Sequence, residues 1–133
     1  MQVKLTLNKI SNIVEILSSI IIDNFKVNYW ISRNMSNLEQ SHEFMIEERN
    51  KIYERYLNRD DKGNYIIVNN NNLQFNLKET TKEFIKEFEN KMNELFNLEC
   101  EVDVYLIDVE TVMEKNISLT PAQISCIRCL LSE

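Results

Sequence analysis

The sequence predicts an α+β fold dominated by helix, with a small antiparallel sheet, amphipathic helices and one helix of about 30 residues. Two observations carry this. From about Lys26 to Leu57 there is neither Gly nor Pro, and apolar or long side chains fall at Ile31, Met35, Leu38, His42, Met45, Arg49, Ile52 and Tyr56. Their gaps alternate four and three, the mark of a heptad seam. Two other stretches, Val3 to Leu7 and Glu101 to Ile107, alternate apolar and polar residues as half-buried strands do. The chain of 133 residues fits one domain, and no repeat, linker or boundary interrupts residues 1–133.

Each element follows from local chemistry. After the first strand, Ile10, Ile13, Val14, Leu17, Ile20 and Ile21 recur at helical spacing, with Asn8 as the expected cap. Ile16 and Ile22 lie off that face, so the helix is expected to be covered on two sides. The long helix would extend roughly 48 Å, more than a small domain needs, which implies a partner along part of its length. That partner is either another chain or the other helices. Two seam positions are polar, His42 and Arg49. They act as register-setting residues of a coiled coil or sit at the core edge as the helix rotates.

Asp61-Lys62-Gly63-Asn64 is a turn signal, followed by an expected strand at Tyr65 to Val68. A polar loop, Asn69 to Asn72, leads to a second alternation at Leu73, Phe75 and Leu77, which together predict a hairpin. Thr80 with Glu83 has the form of a capping box, opening a helix with Phe84, Ile85, Phe88, Met92, Leu95 and Phe96 on one face. The strand at Glu101 to Ile107 is expected to pair with the first. Thr120, Pro121 and Gln123 open a last helix, with Ile124, Ile127, Leu130 and Leu131 on its buried face.

Composition removes many functions. A single Gly excludes phosphate loops and dinucleotide fingerprints, and a single His excludes multi-histidine metal sites. A net charge of -6 disfavours general nucleic-acid binding, although a compact basic patch can exist within an acidic chain. DNA mimicry needs denser carboxylates. The start of the chain lacks the apolar core of a signal peptide, and the longest apolar run, around Ile20 to Ile22, is far too short to span a bilayer. These features predict a cytoplasmic protein. Three cysteines do not make a secreted disulfide framework.

The remaining motifs have ordinary readings. Cys126-Ile127-Arg128-Cys129 falls past the first turn of its helix, where no thiolate is stabilised, and zinc would need further ligands that only Cys100 and His42 could offer. The stretch from Asn58 fails as a calcium loop, because Lys62 takes a ligand position and Asn69 stands where the bidentate Glu belongs. Glu43 with Glu47, and Glu83 with Glu87, lie one turn apart but lack the histidine partners of a di-metal bundle. No catalytic constellation, metal site or cofactor is expected. One cluster stands out: Trp30 and Arg33 near the start of the long helix, and Arg49, Tyr53, Tyr56 and Arg59 toward its end. Aromatic rings with arginines bind small anionic ligands, anchor protein interfaces, or merely complement a helix terminus.

Several stretches together resemble an uncharacterised family of small proteins from phages and prophages of Gram-positive bacteria, the domain-of-unknown-function family sixteen-seventeen. They are Val3 to Leu7, Glu47-Glu48-Arg49, Asp61 to Tyr65, Glu87-Phe88 through Glu99, Glu101 to Val104, and Leu119 to Gln123. The Asn run and the cysteines are particular to this chain, and the family carries no catalytic residues to transfer. The resemblance implies a phage accessory protein that acts by binding in the host bacterial cytoplasm. The expected role is host-directed anti-defence, by stoichiometric sequestration of a small nucleotide signal or a host protein. The alternative is a tail or head assembly adaptor or chaperone acting through oligomerisation. A homo-oligomer is expected along the seam Ile31, Met35, Leu38, His42, Met45 and Ile52.

Overall fold

The computed structural model describes residues 1–66, 75–115 and 117–133. The fold is α+β and helix-dominated, with one long helix and a small two-stranded antiparallel sheet. Its contacts group into two compact units, Met1–Phe44 with Asn97–Glu133, and Met45–Phe96.

The first unit is built from both ends of the chain. Strand β1 (Gln2–Thr6) pairs antiparallel with β2 (Glu99–Asp103), Leu5 facing Cys100 and Val3 facing Val102. Helix α1 (Leu7–Ser19) follows β1 directly. Its cap is Thr6 and not Asn8, since the Thr6 hydroxyl accepts the Lys9 N–H at 3.1 Å. Leu7, Ile10, Ile13, Ile16 and Leu17 are buried, so the helix is covered over the wider arc that Ile16 implied. Each fully buried aliphatic side chain contributes roughly 1.5–3 kcal/mol. The helix stops at Ser19, which leaves Ile21 exposed.

Helix α2 (Phe25–Tyr56) begins in this unit and ends in the other. Asn24 caps it, its Oδ1 accepting the Val27 N–H at 3.0 Å. On its first turns Val27, Trp30, Asn34 and Leu38 are fully buried.

The expected strand at Glu101 to Ile107 is two short strands. β2 ends at Asp103, and β3 (Ile107–Asp108) pairs in parallel with β4 (Leu131–Ser132). The break falls at Tyr105, whose backbone groups are taken by the buried Asn34 side chain instead of a neighbouring strand. A short helix α4 (Val109–Glu114) follows. Helix α5 (Pro121–Cys126) starts at the capping box read from the sequence, with Thr120 and Gln123 bonded reciprocally. A 3-10 turn at Arg128–Leu130 continues it. Ile127 and Leu130 are fully buried, but Ile124 is 41% exposed: the α-helix ends at Cys126, so the four apolar residues do not share one helical face.

The second unit packs the end of α2 against α3 (Lys82–Phe96). Tyr56, Leu57, Phe88 and Met92 form its buried centre, surrounded by half-buried rings including Tyr53, Tyr65, Phe75 and Phe84. Lys78 satisfies carbonyls at the end of α2, its N–H bonding Tyr56 O and its Nζ bonding Glu54 O. The cap of α3 is Thr81 and not Thr80, for the Thr81 hydroxyl accepts the Phe84 N–H. The expected turn is present: Asp60 accepts from the Lys62 and Asn64 backbones, and Gly63 takes φ +82°, open to glycine without strain. Antiparallel bridges join Arg59 to Tyr65 and Leu57 to Leu77. The rest of the expected hairpin, with the Asn69 to Asn72 loop, lies outside the described residues.

Candidate functional site

The six residues of the aromatic–arginine cluster do not form one site. Two of them are core. Trp30 is 0% exposed and its indole N–H donates to Leu130 O at 3.0 Å, so its ring is packed and its one polar group satisfied. Tyr56 is 2% exposed, packs against Phe84 and Phe88, and donates its hydroxyl to Glu87 Oε1 at 2.6 Å. That bond, more than burial, raises its phenol above the usual tyrosine range, against the pull of Arg55. Neither ring is available to stack a ligand. Tyr56 lies on the seam read from the sequence, whereas Trp30 lies one residue before it, on the face that Val27, Asn34 and Leu38 bury.

In the second unit Arg49, Tyr53 and Arg59 meet in a ladder with Tyr65. The Arg49 guanidinium lies 5.5 Å from the Tyr53 ring centre. Tyr53 meets Tyr65 edge-on at 5.4 Å. Arg59 lies 4.6 Å over Tyr65 and donates from Nη2 to the Tyr65 hydroxyl at 2.7 Å. Phase is set by the elements: Arg49 and Tyr53 are one turn apart on α2, and the bridge at Arg59 and Tyr65 folds the turn back onto them. Phe75 supports Tyr53 from beside it at 5.3 Å. Burial raises the Tyr53 phenol above its usual range, partly offset by Arg49.

Among the described residues, neither Arg49 nor Arg59 has a carboxylate at ion-pair distance. Residues 67–74 carry no charged side chain. Arg49 Nε is buried and makes no hydrogen bond among the described residues. The two guanidiniums are therefore held by rings and left open to an anion. Tyr65 and Phe75 were missed as members of this group; their closeness depends on the turn at Gly63, which spacing alone does not convert to a contact.

In the first unit Arg33 stands in a smaller group. Its guanidinium lies 5.0 Å from the Tyr105 ring centre and 5.8 Å from that of Tyr29, and its Nη1 donates to the Tyr29 hydroxyl at 3.0 Å. Tyr29 and Tyr105 pack edge-on and are exposed.

The seam is also divided. Leu38 is 0% and Met45 2% exposed within a single chain, so those positions are filled by the chain's own packing and are not free to meet a partner. Ile31, Met35, His42 and Ile52 are half-buried. Cys126 and Cys129 are half-buried thiols, and burial pushes the Cys129 thiol up, away from the reactive thiolate. Glu87 is taken by Tyr56 and Arg55. No helix among the described residues is long and apolar enough to cross a membrane.

In comparison with known proteins, no family model, no curated protein and no solved structure matches this chain. The site is therefore read from its own chemistry.

Proposed function

We propose that this chain is a phage or prophage accessory protein of the host cytoplasm that acts by stoichiometric binding, not by catalysis, and that its target is a host protein. The single observation behind this reading is the Arg49–Tyr53–Tyr65–Arg59 ladder. It holds two guanidiniums with no carboxylate partner among the described residues. Arginine stacked on tyrosine is typical interface-anchor chemistry, because the ring fixes the planar cation while its N–H edge stays free for a carboxylate. A small nucleotide signal fits less well. The ring faces it would stack on are already partly covered by arginine, and of the two grooves described for this unit one is lined only by Phe75, beside the ladder, and the other by no residue of the group.

The test is native mass spectrometry of the protein recovered from infected cells, with Arg59→Gln beside the parent. A host protein bound in whole-number ratio and lost from Arg59→Gln supports the reading. A small adduct would move it to nucleotide capture, and a bare chain would defeat it. A virion-assembly role is the second reading, favoured by the half-buried Ile31, Met35, His42 and Ile52 along α2. Virion proteins in the recovered complex would select it.

A further inference from the structure

Helix α2 carries a second stripe, away from the face that Val27, Trp30, Asn34 and Leu38 bury. Phe25, Tyr29, Ser32, Ser36, Glu39 and Glu43 follow one another at gaps of four and three, and all six are exposed. All lie within the first unit. Phe25 is 93% exposed and Tyr29 53%, two apolar rings where a solvated helix face is ordinarily polar. Charge divides the stripe. From Phe25 to Leu38 the helix carries Lys26 and Arg33 and no carboxylate, and from Glu39 to Phe44 it carries Glu39 and Glu43 and no Lys or Arg. Among the described residues none of these four has an ion-pair partner. This order does not serve the helix itself, since a cation in the first turn with no acid there opposes the macrodipole. The complement of the first half is the second half, run in the opposite direction.

We propose that this stripe receives a second copy of the chain, antiparallel about a two-fold axis between Ser32 and Ser36. In that register Ser32 faces Ser36 of the second copy, a small pair that lets the helices come close. Tyr29 faces Glu39 of the second copy, and Phe25 faces its Glu43. Arg33 donates to the Tyr29 hydroxyl at 3.0 Å, so its guanidinium stands at the Tyr29 level, where that Glu39 arrives. Lys26, one heptad before Arg33 and on the same flank, meets Glu43. The two-fold axis makes each contact twice. A different protein would have to carry this order of charges by coincidence, whereas a second copy carries it by identity. The contact uses no residue of the arginine–tyrosine ladder, so it stands or falls apart from the proposed function.

The contact spans about 30 Å of helix and is largely polar, so the dimer is expected to be weak, with a Kd of about 10–100 µM. Sedimentation equilibrium of the full chain at concentrations up to about 1 mM measures it. Arg33→Glu and Glu39→Arg should each weaken association at least about tenfold, because each sets like charges face to face. Glu39→Arg also brings the net charge of -6 nearer to zero, so a general charge effect would strengthen association instead. An equimolar mixture of the two variants should pair as the parent does, since each supplies the charge that the other lacks. The double variant, Arg33→Glu with Glu39→Arg, should pair as well. Both side chains are exposed, so the variants should fold like the parent. A chain that stays monomeric over the whole range overturns the proposal and leaves the stripe to a different protein. Association indifferent to both substitutions, or a mixture that fails to pair, overturns it too.

Discussion

The side-chain amide of Asn34 serves Tyr105 as a strand neighbour would: its Oδ1 accepts the Tyr105 N–H and its Nδ2 donates to the Tyr105 carbonyl, each at 2.9 Å. The same Nδ2 also donates to Trp30 O at 3.0 Å. Asn34 is the one polar residue fully buried among those described.

Asn34→Ala should therefore cost about 2 kcal/mol, because it removes the side chain that bonds both backbone groups of Tyr105. Asn34→Asp should cost more at neutral pH, since it turns an oxygen toward carbonyl oxygens in place of the donor. A buried carboxyl there holds its proton to higher pH than in the unfolded chain, so the variant should lose stability as pH rises above about 4. Urea midpoints from acid to neutral pH check both outcomes.

Tyr56 gives an alkaline signature. Its hydrogen bond to Glu87, then its burial, raise the folded phenol above the unfolded value of 10.0. The native state thus keeps a proton that the unfolded state releases. The stabilisation is complete below pH 10 and falls as pH rises through the raised folded value. Tyr56→Phe should cost about 1 kcal/mol near neutral pH. The gap between the two urea midpoints should narrow as pH rises past 10.

Trp30 is the single tryptophan, so intrinsic fluorescence reports on it alone. Its emission should be blue-shifted and resist quenching by iodide, as for an indole buried and bonded to Leu130 O. Trp30→Phe should cost about 3 kcal/mol, from the void it opens and the carbonyl it leaves without a donor. A water-exposed emission spectrum would contradict the packing described.

The helix starts separate residues that look alike in sequence. Thr6→Ala should cost about 1 kcal/mol and Asn8→Ala much less, because only Thr6 bonds a helix N–H. Thr81→Ala should likewise exceed Thr80→Ala. Thermal unfolding of the four variants checks the assignment.

The elements most legible in the sequence were those whose signals are local. The unbroken run into α2, the β1–β2 pairing and the Thr120–Pro121–Gln123 helix start each rest on spacing or on a cap. The caps shifted by one or two positions at α1 and α3, where two candidate residues stood close together and backbone geometry chose between them. The Glu101 to Ile107 strand looked continuous because alternation cannot reveal a side chain, Asn34, arriving from 71 residues away. At the site, residue types were legible but exposure was not. Trp30 and Arg33 lie within one turn of each other, yet one is sealed in the interior and the other stacks on open rings. Tyr65 joined the ladder only through the turn at Gly63.

The first unit draws on residues 1–44 and 97–133, with residues 45–96 forming the second between them. On a ribosome this sets an order of events. The second unit is complete once residue 96 has emerged. At that moment β1 still has no partner, since Leu5 awaits Cys100, and α1 still lacks α5, which packs against it. Until β2 and α5 are made, the nascent chain carries a bare strand edge and the face of α1 that α5 will meet. That interval is when a chaperone is most useful to it, and when slow translation of residues 97–133 would expose it longest to aggregation.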